Sequence, residues 1–214
     1  MVEKSNKTIN QQFLELLLRG DRKECSKLAH DFYDNHKSLH DLYENVFKEA
    51  LYKVGELWEH NKISVATEHL ASAIVESILN EFYAEISFTK KHNKKVLVTC
   101  VEDELHQIGI KMISDIFELN GWNSYFLGAN TPTQQLIIFM KNNKPDMLAI
   151  SLSIYFRLPK LEEMLQNIRK ELPDLPILVG GQAFRIGGQE VIQKYDNIAF
   201  QPDLQSMELY INKL

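Results

Sequence analysis

From Thr8 to about Glu85, apolar residues recur at three- and four-residue spacings, the mark of helices that each bury one stripe. Phe13, Leu14, Leu16, Leu17 and Leu18 define a short first helix ended by Gly20, and Asp21 is placed to cap a second that carries Cys25, Leu28, Phe32 and Tyr33. The two read as a helical hairpin. A third helix is predicted from about Leu39 to His60, with Leu42, Val46, Phe47, Ala50, Val54, Leu57 and Trp58 in its stripe, broken at Asn61-Lys62. Ser64 caps a fourth that runs to about Glu85, its expected buried stripe being Leu70, Ala73, Ile74, Ser77, Ile78 and Phe82. The expectation is a four-helix bundle over residues 1–90.

The polar, basic run Phe88-Thr89-Lys90-Lys91-His92-Asn93-Lys94-Lys95 reads as a solvated linker. Beyond it the period changes. Val96 to Val98, Asn123 to Leu127, Met147 to Leu152, Ile177 to Val179 and Ile198 to Phe200 read as strands. Between them, Ile108 to Leu119, Leu136 to Asn142 and Leu161 to Leu172 have helical spacing; Val191 to Lys194 and Leu204 to Leu214 complete the alternation. Apolar strands alternating with helices predict a parallel sheet covered on both faces. Residues 94–214 are therefore expected to form a doubly wound α/β domain, Rossmann-like and of flavodoxin type, with five strands and a ligand at their carboxyl ends.

Composition narrows the function. The net charge of −5 comes without a basic cluster, and no zinc-finger spacing or helix-turn-helix is visible, which argues against direct nucleic-acid binding and against an anionic membrane surface. No apolar run approaches the ~20 residues that span a bilayer. Cys25 and Cys100 lie in different predicted elements and the first residues lack a signal-peptide pattern, so a reducing cytoplasm is expected.

Several residues with chemical potential fall at the carboxyl ends of the predicted strands. Glu104 and His106 follow the first, Gly128-Ala129-Asn130-Thr131-Pro132 follows the second, Ser151 and Ser153 end the third, and Gly180-Gly181 follows the fourth. Each alone has an ordinary explanation: a surface histidine, a turn, serines that satisfy backbone groups. Together they converge on one rim and present one imidazole there. The first loop lacks Gly-x-Gly-x-x-Gly and the chain has no Gly-x-x-x-x-Gly-Lys-Ser/Thr, which disfavours a dinucleotide site and a P-loop. Cys100 has no base beside it in the sequence that would make it a nucleophile, and no catalytic residue is assigned.

Glu104-x-His106-x-x-Gly109, Ser151-Leu152-Ser153 and Gly180-Gly181, in that order and at those strand ends, resemble the cobalamin-binding domain shared by methionine synthase, corrinoid methyltransferase proteins and cobalamin-dependent photoreceptors. Gly121-Trp122, Leu127 to Pro132 and Lys144-Pro145-Asp146 extend the resemblance across the second half of the chain. It implies that His106 is the lower axial ligand of cobalt, displacing the cofactor's own base, and that Glu104, standing where the family has Asp, accepts the second imidazole N–H. It also implies that Gln107, Ile108, Gly109, Ser151, Ser153, Gly180 and Gly181 contact the cofactor. Ser153 stands where the family has Leu or Thr.

The helical half resembles the photoreceptor branch: Trp58, nine residues, then Glu68-His69. In that branch a four-helix bundle covers the upper face of adenosylcobalamin, and Ala66, Ser72 and Ala73 are small enough to leave room for an adenosyl group. Two departures stand out. The bundle is expected to start almost at the first residue, where photoreceptor repressors carry a DNA-binding domain, so regulation is expected through self-association into a homo-oligomer or through a partner transcription regulator. Glu59 follows the tryptophan where the branch often has a cobalt-capturing histidine. His60, one position on, is rotated by about 100°, which argues against a stable bis-histidine light state. The expectation is a stand-alone, non-catalytic cobalamin-binding sensor, light-responsive, that takes adenosylcobalamin in preference to methylcobalamin. The alternatives are a corrinoid shuttle of a methyltransferase system, and a related fold that has lost corrin binding or carries haem.

Overall fold

Four helices of the first half begin where a short polar side chain takes up an otherwise unbonded N–H. In the computed structural model, which describes residues 8–87 and 92–214, Thr8 forms a capping box with Gln11 at the start of α1 (Ile9–Arg19), and Gly20 closes it in the left-handed conformation, φ 72°. Asp21 caps α2 (Arg22–His36) and Ser38 caps α3 (Leu39–Leu42). Residues 88–91 of the expected linker lie outside the described residues.

From α3 the chain passes into a π-helical turn, Tyr43–Lys48, and then α4 (Glu49–Glu59). The single long helix expected from Leu39 to His60 thus carries one wide turn. The wide turn lets the adjacent pairs Leu42-Tyr43 and Val46-Phe47 all be buried, which one α-helical stripe does poorly. Ser64 caps α5 (Val65–Glu81), followed by the short α6 (Tyr83–Ser87). The α5 core residues are Ala71, Ile74, Val75, Ile78 and Leu79. Leu70, Ala73 and Ser77 were expected in that stripe, but Leu70 and Ala73 are exposed and Ser77 is half-buried, because the buried face lies one residue further round.

The chain divides into two compact units between Tyr83 and Ala84. The second is a five-stranded parallel sheet in the order β2-β1-β3-β4-β5, built from β1 (Lys95–Cys100), β2 (Asn123–Gly128), β3 (Met147–Ser151), β4 (Ile177–Gly180) and β5 (Ile198–Phe200). The connections carry α7 (Ile108–Leu119), α8 (Thr133–Asn143), α9 (Leu158–Glu171) and α10 (Gln189–Ile192), and α11 (Leu204–Ile211) closes the unit. Leu97, Leu148, Ile150, Ile177 and Val179 pack under Leu136, Met140, Leu161, Leu165 and Ile168 of α8 and α9. The strand order reverses between β1 and β3, where a doubly wound sheet opens its crevice. Cys100 pairs with Ser151 at that point. Among the described residues no helix is long and apolar enough to cross a membrane.

Candidate cofactor site

The loop between β1 and α7 carries the buried carboxylate of Glu104, which has no solvent exposure. Such a group persists only if its oxygens are filled by donors. Its Oε1 accepts the backbone N–H groups of Leu105 (3.0 Å) and His106 (3.1 Å), and also His106 Nδ1. Its Oε2 accepts the N–H groups of Ser153 (3.2 Å) and Ile154 (3.1 Å), in the loop after β3. Burial alone would push this carboxyl up, but the hydrogen bonds from the His106 ring and backbone and from Ile154 outweigh it and hold Glu104 at about 2. The group is therefore an anion at neutral pH, and the proton shared with His106 resides on Nδ1.

That contact fixes the tautomer and aim of the imidazole. The His106 side chain is 55% exposed at the rim, so Nε2 is the ring nitrogen that could serve a metal, and an ionised partner on Nδ1 would make it a stronger donor. One aimed imidazole suits a metal whose remaining donors belong to a macrocycle.

The other predicted residues of the sheet unit are placed around this loop. Gln107 precedes α7, and its Oε1 accepts Ala129 N–H at 3.2 Å. Ile108 and Gly109 open α7, and nothing lies within 4 Å of where a Gly109 Cβ would project. Ser151 is buried and pairs with Gly180, while Ser153 is half-buried and held by Glu104. Gly181 has φ 115°, and a Cβ there would collide with the backbone of Leu152, so the second glycine is required by the fold itself. Cys100 donates to the His106 carbonyl at 3.6 Å; burial, then the charge of Glu104, push its thiol up to about 12, so it is no nucleophile.

The loops after β1, β2 and β3 are laced together by residues that a linear reading passes over. Thr133 donates to Glu102 at 2.8 Å, and Lys160 lies 3.4 Å from the same carboxylate. Asn130 bonds both Asp103 and Glu104. An open depression of about 590 Å³ beside the rim is lined by Asp103, Phe156, Arg157, Pro159, Lys160 and Glu163.

Trp58, Glu68 and His69 belong to the helical unit. Trp58, expected to end a core stripe, is 46% exposed in the last turn of α4. Glu68 accepts from Ser72 Oγ at 2.9 Å and lies 3.5 Å from the exposed His69 ring. His60 caps α4, with Nδ1 donating to the Glu56 carbonyl at 2.7 Å.

A doubly wound sheet that offers one carboxylate-oriented histidine at its switch point defines a cofactor-binding domain of the corrinoid type. A family model described as B12 binding domain matches residues 94–202, and a second of the same description matches residues 9–82. The chain belongs to the B12-binding family, and cobalamin is the cofactor that membership implies. It is 27% identical over 149 residues to the HTH-type transcriptional repressor CarA of Myxococcus xanthus, covering 69% of this chain and 50% of that protein. To CarH of the same organism it is 28% identical over 145 residues, covering 67% and 48%. The chain thus spans about half the length of these curated relatives. The fold matches the monomethylamine corrinoid protein of Methanosarcina barkeri with a TM-score of 0.82 at 12% identity, over 98% of this chain and 100% of that one.

Proposed function

We propose that this protein is a cobalamin-binding sensor that holds cobalt through His106 Nε2 and signals a change of upper ligand. The observation that carries the reading is the half-exposed His106 ring fixed through Nδ1 by the fully buried Glu104. Gln107, Ile108, Gly109, Ser151, Ser153, Gly180 and Gly181 are proposed to contact the cofactor around that ligand. When bound, adenosylcobalamin supplies a cobalt–carbon bond weak enough for visible light to break. Trp58, Glu68 and His69 are proposed to recognise the upper ligand, with the adenosyl form preferred to methyl. The two sequence relatives are transcriptional repressors, which supports regulation through self-association or a partner regulator.

The whole-length fold match to a corrinoid protein supports a second reading, a methyl-carrying shuttle. One experiment separates them. Protein loaded with adenosylcobalamin in the dark is illuminated while its visible spectrum and elution volume are followed, beside His106→Ala. A light-dependent change in both, with an altered dark spectrum in the variant, supports the sensor. No light response, with methyl transfer from bound methylcobalamin to a thiol once a methyltransferase is added, supports the shuttle. A spectrum equal to the cofactor alone overturns both.

A further inference from the structure

We infer that Asn130 is a positioning residue for His106, acting from the neighbouring strand's loop through the backbone of Glu104. The inference rests on the ligand role proposed for His106. Asn130 bonds two consecutive residues of the histidine loop. Its Oδ1 accepts the Asp103 N–H at 3.3 Å, and its own N–H donates to the Glu104 carbonyl at 3.1 Å. Both partners in this bracket have left-handed backbone, φ 53° at Asn130 and φ 69° at Asp103. Among residues with a Cβ, Asn and Asp are the two that accept that conformation most readily. Next to it, Ala129 N–H donates to Gln107 Oε1 at 3.2 Å, so the loop after β2 grips the histidine loop on both sides of His106.

Order follows along the chain of contacts. Asn130 fixes the main chain at Asp103 and Glu104; the Glu104 carboxylate, so placed, meets His106 Nδ1 on one oxygen and the loop after β3 on the other. Without the Asn130 side chain the Asp103 N–H has no protein acceptor in this bracket and turns to water. The Glu104 backbone gains freedom, and the aim of the imidazole broadens. Asn130 acts through the main chain of Asp103 and Glu104 and narrows the orientations from which His106 can ligate.

Three substitutions separate the side-chain hydrogen bond from backbone conformation. Asn130→Gly keeps the left-handed backbone and deletes the acceptor, Asn130→Ala deletes the acceptor and disfavours the backbone, and Asn130→Asp keeps both. The first readout needs no cofactor: ¹⁵N NMR of the His106 ring in the apoprotein. The wild type and Asn130→Asp are expected to show a single tautomer protonated at Nδ1, and Asn130→Gly and Asn130→Ala a mixture. The second is dark titration with adenosylcobalamin, following the histidine-ligated spectrum. Loss of one ordering hydrogen bond is expected to weaken that binding about tenfold in Asn130→Gly, with Asn130→Asp restoring it to within about threefold. Thermal melting of apo Asn130→Gly confirms that the variant is folded. A single Nδ1-protonated tautomer in folded Asn130→Gly, or wild-type affinity in that variant, overturns the inference. If the wild type itself gives no histidine-ligated spectrum, the ligand role of His106 fails, and the apoprotein NMR still decides whether Asn130 orders the ring.

Discussion

Replacing Glu104 by Gln keeps the shape of the side chain and exchanges one acceptor for an NH₂ group. Five donors converge on the carboxylate, three on Oε1 and two on Oε2, so either orientation of the amide places its NH₂ against N–H groups. The size of the loss can be taken from the carboxyl itself. Its fall from 4.5 to about 2 on folding corresponds to roughly 3 kcal/mol of stabilisation at neutral pH. With a urea dependence of about 2 kcal/mol per molar, the midpoint of the sheet unit is expected to drop by about 1.5 M. Fluorescence of the buried Trp122, in a Trp58→Phe background, reports that unit alone. Because the folded value lies below the ordinary one, the contribution is complete above about pH 4.5 and is lost as the pH falls towards 2. Wild type and Glu104→Gln should therefore differ most at pH 7 and converge on acidification. Equal midpoints at pH 7, or a gap that does not narrow between pH 5 and pH 2, would refute the reasoning.

Three further outcomes are expected. Gly181→Ala, which forces a Cβ into the Leu152 backbone at φ 115°, should cost about 3 kcal/mol or more, whereas Gly109→Ala, in open space on α7, should leave the apoprotein as stable or about 0.5 kcal/mol more so; urea midpoints decide both. Arg169 donates to the carbonyls of Leu172, Leu175, Asp196 and Asn197, so Arg169→Lys, with one compact ammonium, should destabilise the sheet unit by about 2 kcal/mol in the same assay. Trp58→Ala should change bundle stability by less than about 1 kcal/mol, given its exposure, measured by the helical circular dichroism melt, while shifting the relative affinity for adenosyl and methyl cofactors in a dark titration.

Much of this arrangement is legible along the chain. Thr8, Asp21, Ser38 and Ser64 sit where helices begin, and the apolar triplets near Leu97, Leu148 and Leu178 sit where strands pair. The buried face of α5 is less so, because Leu70, Ala71, Ala73, Ile74 and Val75 make the helix apolar on several sides and only the packing selects one. The wide turn at Tyr43–Lys48 escapes because doubled apolar positions at 42–43 and 46–47 still look helical. At the site, the Glu104 and His106 pair is two residues apart and readable. The Ser153 and Ile154 amides lie 49 and 50 residues away, and the Asn130 side chain meets the main chain of Asp103 from 27 residues away, so nothing beside Glu104 in the sequence points to either.

The second oxygen of Glu104 makes the aim of the His106 ring conditional on chain that arrives late. Until β3 has paired with β1 and brought residues 153 and 154 to the rim, that oxygen has no donors and a buried anion cannot be sustained there. A fragment that stops before Ser153 would contain the histidine and its glutamate and still present a loosely held imidazole. The fixed aim of the His106 ring is thus a property of the closed sheet, and under the ligand role proposed for it a nascent or partly unfolded chain would have little hold on the cofactor.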